Sequence, residues 1–259
     1  MKIQWIKTNL SVIQKICLSG LFMAIAVILQ KVVAINYLAF APFVRVSLGG
    51  PALIMFASVL LGPIYGLFVG IASDLLGYFI FDASGLPPFL QVTAIYALLG
   101  FVSYFVFSLV YSIRNTKALT IIEIVFVSLI WLAISLYMIC NNEILLFKPP
   151  AYQLTVLSKV LVISISGAIF LSIILLSRFI KPKDGSIYAS PLHICFASFI
   201  CDFFVLVLFG SVMKAWAFGF STFLAIIICQ ALVMSFNVFV DTFFISTFQH
   251  FCKKYYVSR

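Results

Sequence analysis

The sequence predicts an all-α fold, a polytopic transmembrane helix bundle of about eight spans, and three observations carry that prediction. Hydrophobic residues make up 64% of the chain and charged residues only 9%, with a mean hydropathy of +1.24; a soluble domain is about half apolar. The apolar residues fall in runs long enough to cross a bilayer, which takes about 20 helical residues. The sixteen basic residues stand in small clusters between those runs. The formal charge of +9 therefore reads as a topology signal and not as a nucleic-acid surface.

Span one is expected from about Ile16 to Val33, behind Lys2, Lys7 and Lys15. No small-residue cleavage site follows it, so it reads as a retained span and not a signal peptide. Its Gly20-x-x-x-Ala24 pair offers a small-residue face, which would serve packing within the same chain or docking of a partner helix. A loop with Asn36, Tyr37 and Pro42 leads to span two, about Val44 to Leu61, and span three runs from Ile64 to Phe81. Between them Gly62-Pro63 reads as a tight turn. Gly62, Gly66, Gly70, Ser73 and Gly77 recur at steps of four or three, so they share one helix face on which a neighbour can come very close.

Asp82 to Pro88 is loop by its glycine, serine and paired prolines. Span four follows at about Phe89 to Tyr111 and span five at about Leu119 to Ile139. Beyond the polar loop Asn141 to Pro150, span six covers Tyr152 to Leu176. Arg178, Lys181, Lys183 and Asp184 mark an exit from the membrane. Span seven is expected at Pro191 to Phe209 and span eight from near Ala215, with apolar residues continuing to Phe251.

Counting basic residues on alternate sides of eight spans puts Lys2, Lys7, Lys15, Arg114, Lys117, Arg178, Lys181, Lys183, Lys253, Lys254 and Arg259 with the N-terminus. Only Lys31, Arg45, Lys148 and Lys214 fall on the other side. That asymmetry predicts a multi-pass protein of the cell membrane with both termini cytoplasmic. Arg45, the Asp82 to Pro88 loop and the Asn141 to Pro150 loop are then extracytoplasmic, where a site for a captured molecule is expected.

The chain lacks G-x-x-x-x-G-K-[ST], G-x-S-x-G and H-E-x-x-H, so neither ATP use by a phosphate loop nor hydrolysis is expected, and an enzyme is not predicted. Cys17, Cys140, Cys195, Cys201, Cys229 and Cys252 form no C-x-x-C and read as buried thiols, and His193 and His250 stand alone. No metal and no cofactor are expected.

Ionisable residues at membrane depth cost about 3 kcal/mol each, which makes them functional candidates. They are Asp74, Glu123, Lys159, Asp202 and Asp241, with Arg45 near the boundary. Asp74 reads as a packing carboxylate or as a group beside the substrate, and a pairing with Arg45 is geometrically open. Lys159 and Arg45 are candidate contacts for an anionic substrate, Lys159 alternatively snorkelling to the interface. Tyr78, Tyr96, Trp131 and Tyr152 would stack on a planar ring or anchor span ends, while Gln91 and Thr93 would hydrogen-bond the ring. Glu123 is expected to be solvated or paired with Arg114 or Lys117. Asp202 and Asp241 have no assigned role in this reading.

The second and third spans also carry a family pattern. Arg45, Ser47, Gly49 and Pro51 are followed by Leu61, Gly62, Pro63, Gly66, Gly70, Ser73, Asp74, Leu75, Leu76, Gly77 and Tyr78, then by Pro88, Phe89 and Gln91-Val92-Thr93-Ala94. This resembles the substrate-binding subunit (S component) of energy-coupling factor (ECF) vitamin transporters, folate-type branch. The resemblance covers about Leu18 to Ile180. It implies a six-helix vitamin-binding membrane domain over residues 1–182, with residues 183–259 adding transmembrane helices. It further implies capture of folate or a similar planar vitamin, and docking through Gly20 and Ala24 on a transmembrane coupling subunit that works with two ATPase subunits. Leu157-Ser158-Lys159 stands where the family has a basic Pro-x-Arg type segment. Two other readings stay open: a stand-alone, ion-coupled secondary transporter of a small organic molecule using Asp74 or Asp202, and a membrane scaffold without ligand.

Overall fold

The computed structural model describes residues 10–33, 49–81, 88–113, 115–144, 152–153, 155–179, 191–218 and 223–256. In chain order they form α1 (Val12–Lys31), α2 (Gly50–Leu61), α3 (Pro63–Phe81), α4 (Leu90–Ser112), α5 (Thr116–Cys140), β1 (Glu143–Ile144), β2 (Tyr152–Gln153), α6 (Val156–Phe179), α7 (Pro191–Cys201), a π-helical stretch (Asp202–Phe209), α8 (Gly210–Phe218) and α9 (Phe223–Tyr256). Seven helical runs are long and apolar enough to cross a membrane, and α2 is a shorter apolar helix among them. The chain is an all-α polytopic bundle, as its composition predicts. The one addition is a two-residue antiparallel ladder, Glu143 opposite Gln153 and Ile144 opposite Tyr152, which ties the ends of α5 and α6.

Local signals place the helix ends. Ser11 caps α1 in a capping box, accepting from the Gln14 amide while the Gln14 side chain accepts from the Ser11 amide. Asn115 caps α5 through the Ala118 amide. Gly62 turns α2 into α3 at φ 112°, a conformation open to glycine, and Pro63 starts α3 with its ring in place of an amide that would lack a partner.

The short helix α2 is the axis of the bundle: every residue from Gly50 to Leu61 except Val59 is buried. It is surrounded by α1, α3, α4 and α9, and α7 and α8 close the ring by packing on α4 and α9. Phe56 of α2 links two neighbours, its ring meeting Phe22 of α1 edge-on at 5.6 Å and Phe248 of α9 at 5.5 Å. The hairpin of α5 and α6 lies to one side. It packs on itself and against α7 and α9, with a second core of Val127, Ile134, Met138, Ile173, Phe199 and Val238.

Two expectations are corrected here. The seventh crossing does not end at Phe209, and the eighth does not start near Ala215. The helix opens into π geometry at Asp202, recovers at Gly210 and runs on, so that one crossing spans Leu192–Trp216; the last helix starts at Phe223. Leu192, Ile194, Phe196, Ala197 and Ile245, beyond residue 182, share one core with α1 to α4. Five crossings, α1, α3, α4, α7–α8 and α9, therefore enclose α2 in a common interior.

Candidate functional site

The glycine face of α3 is turned inward. Side chains at Gly66 and Gly70 would strike the backbone of Gly100 and Tyr96 on α4, and Gly66 also stands against Ser58 of α2. Three helices thus approach at backbone contact, the packing that small residues permit in a membrane. Two turns beyond Gly70, Gly77 makes room for the stem of Lys31 from α1.

The same face holds Asp74, which is buried and accepts a hydrogen bond from Thr93 Oγ1 of α4 at 2.7 Å. The height of this pair follows from the packing. Ser58 faces Gly66, and eight residues along each antiparallel helix, about 12 Å, bring Gly50 and Asp74 level with each other. Asp74 and Thr93 therefore stand at the height where α2 begins.

That beginning is itself unusual. Gly49 precedes α2 at φ 90° with no side-chain cap, Pro51 has no amide hydrogen, and the Phe244 ring covers Gly49. Gln30 of α1 lies against Gly50, and neither its amide oxygen nor its nitrogen has a hydrogen-bond partner among the described residues. The first turn of any helix leaves amide hydrogens unpaired and carries partial positive charge. Here that charge is answered by Asp241 of α9, which lies beside the Ala52 amide.

Asp241 in turn is within reach of Asp202, the first residue of the π stretch; both are wholly enclosed. Cys201 and Ser103 adjoin them. Further along, the Cys195 thiol donates to Glu123 at 3.3 Å, and the His193 ring meets the Ile113 carbonyl at 3.0 Å. Glu123 is thus buried between α5 and α7, which corrects the expectation of a solvated carboxylate.

The predicted binding residues divide into two groups. Asp74, Thr93, Tyr78, Gln91 and Tyr96 lie on α3 and α4, with Tyr78 resting edge-on against Phe79 at 5.4 Å and Tyr96 packed on the main core. Trp131 and Lys159 belong instead to the side hairpin. The Trp131 indole lies over Gly167 and donates to the Ile163 carbonyl at 3.2 Å, and Lys159 donates to Asn142 Oδ1 at 2.8 Å. Since α5 and α6 share no substantial interface with α3 among the described residues, Trp131 and Lys159 do not join Asp74 in one pocket. Both tie the hairpin together. Tyr152 is placed only by its backbone in β2, and Arg45 lies outside the described residues.

Gly20 and Ala24 are exposed, and a side chain at Gly20 would meet nothing within 4 Å. Their small-residue face is therefore not used for packing among the described residues. Cys17 and Cys140 are exposed free thiols and not buried ones. The residues that sequence reading left without a role are Gln30, Asp202 and Asp241. A signal was present for the acids: Ser198 with Asp202, and Asn237 with Asp241, are polar pairs four apart.

Compared with known proteins, no family model, no curated protein and no solved structure matches the chain.

Proposed function

We propose that the chain is a membrane-embedded substrate-binding subunit of the energy-coupling factor type. It captures a vitamin, folate or a similar small planar molecule, from outside and delivers it through a coupling subunit driven by two ATPase subunits. The observation that carries this reading is the α3 face, because residues of the family resemblance line it: Gly66 and Gly70 pack on α2 and α4, Asp74 accepts from Thr93, and Gly77 takes the stem of Lys31 from α1. Five crossings closing around α2 make a six-helix unit, which fits a six-helix binding subunit, with α5–α6 as an added flank. The orientation with both termini cytoplasmic opens the Asp74 and Lys31 end to the outside. The unpacked Gly20–Ala24 face is then the place for the coupling subunit.

The test uses purified full-length protein and a panel of radiolabelled vitamins, with coexpression of the coupling and ATPase subunits. Saturable binding of one vitamin is expected. Gly20→Leu with Ala24→Leu is expected to lower recovery of the coupling subunit about tenfold, equivalent to ~1.4 kcal/mol, while vitamin binding stays intact. No saturable binding across the panel overturns the proposal.

A second reading, an ion-coupled carrier that works alone, is favoured by the enclosed Asp202 and Asp241, since intramembrane carboxylates mark ion and proton pathways. Proteoliposomes holding only this chain decide between the two. A carrier accumulates substrate on an imposed ion gradient, and a binding subunit does not.

A further inference from the structure

Vitamin capture and subunit docking leave the centre of the bundle unexplained. Asp202 and Asp241 have no exposed surface, lie within reach of each other, and none of their four carboxylate oxygens makes a well-formed hydrogen bond among the described residues. No lysine or arginine among those residues pairs with either. Two carboxylates so enclosed are strongly unfavourable without positive charge between them, and the start of α2 beside Asp241 supplies only about half a charge.

Two further side chains point to what supplies the rest. Asn237 is buried with an unpartnered Oδ1, and Ser198 is buried with an unpartnered Oγ. Each stands one helical turn from an acid, Asn237 before Asp241 and Ser198 before Asp202, so each shares the face of its acid. The helix changes to π geometry at Asp202, and such interruptions recur at functional sites. The donors are hard oxygens, which suit alkali and alkaline-earth ions better than transition metals. No group of three or more His, Cys, Asp or Glu side chains able to hold a metal ion is found among the described residues.

We infer that Asp202, Asp241, Asn237 and Ser198 form a site for one sodium ion at the centre of the bundle, its positive charge shared between the two carboxylates. The ion joins the π stretch of the seventh crossing to α9 and, through Asp241 and Ala52, to the start of α2. A proton shared by the acids is the competing occupant. Among the described residues the groups facing the pair are the Cys201 thiol from α7, itself hydrogen-bonded to the Ser103 hydroxyl of α4, and the Ala52 amide from α2, none of them cationic. The inference needs neither vitamin nor partner subunit, so it stands or falls separately from the proposed function.

The experiment is thermal unfolding of the full-length protein in detergent, replacing choline chloride stepwise by sodium chloride at constant ionic strength. A saturable rise in midpoint of about 5 °C is expected in sodium, absent in Asp202→Asn and Asp241→Asn, with the half-saturating concentration raised about tenfold in Asn237→Ala. Equilibrium dialysis of the unsubstituted protein against radioactive sodium, expected to give one ion per chain, covers the case in which the variants fail to fold. Equal midpoints in sodium and choline with no retained sodium overturn the inference and leave the acids sharing a proton. A sodium effect that survives Asp202→Asn with Asp241→Asn also overturns it.

Discussion

Gly100→Val is expected to prevent assembly of the bundle. Gly66 and Gly100 oppose one another, so a side chain on Gly100 would strike the Gly66 carbonyl and lie 3.0 Å from the Leu67 amide, while one on Gly66 would lie 2.5 Å from the Gly100 carbonyl and 2.7 Å from Ser58 Cα. The obstacles are backbone atoms with no rotamer to move into, so relief requires α3 and α4 to separate. Overpacking a core commonly costs about 1 to 3 kcal/mol, and a three-carbon addition against main chain should reach the top of that range or exceed it. In lipid the loss is not offset elsewhere, because close van der Waals approach is itself what holds such helices together. Gly20→Val is the matched control, since nothing lies within 4 Å of that position; its midpoint should change by no more than about 0.5 kcal/mol equivalent. Fluorescence-detected size exclusion after a heating series reads both. A monodisperse Gly100→Val protein with an unchanged midpoint would refute the close packing of α3 on α4.

How far the fold could be read in advance depended on what each residue has to do in a membrane. Crossings were legible because every backbone polar group there must be satisfied internally, which leaves helices as the solution for an apolar run. The α2–α3 turn and the inward face of α3 were legible because glycine has few other uses at four-residue spacing inside an apolar helix. The join at Phe209 was not legible. Gly210 and Lys214 look like the end of a span, yet the π stretch carries the helix past them, with the Gly210 amide meeting both the Val205 and Val207 carbonyls. The position of α5 and α6 was hidden for a different reason: helices apolar on all sides carry no stripe that names a neighbour. Trp131 and Lys159 therefore looked like partners for Asp74 when they serve their own hairpin. Asp202 and Asp241 were each conspicuous, but their meeting depends on α7 packing against α9, which no local pattern encodes.

Thr93→Val is expected to lower stability by about 1.5 to 3 kcal/mol, the range for a hydrogen bond to a charged group. The replacement keeps the branched shape and so creates no cavity. What it removes is the hydroxyl that donates to Asp74 Oδ2 at 2.7 Å in a position shielded from solvent. A buried acceptor that loses a donor bears part of its desolvation penalty, whereas altering both partners together relieves much of it. The double variant Asp74→Ala with Thr93→Val should therefore be less destabilised than the sum of the single variants, with a coupling of at least about 1 kcal/mol in a double-mutant cycle. The readout that separates helix packing from ligand contact is vitamin affinity in the Thr93→Val protein that remains folded. Under the proposed function, in which the pair orients substrate, affinity falls about tenfold or more as well. A coupling near zero would mean that the hydroxyl and carboxylate do not stabilise one another, and a full coupling with unchanged affinity would confine the pair to holding α3 against α4.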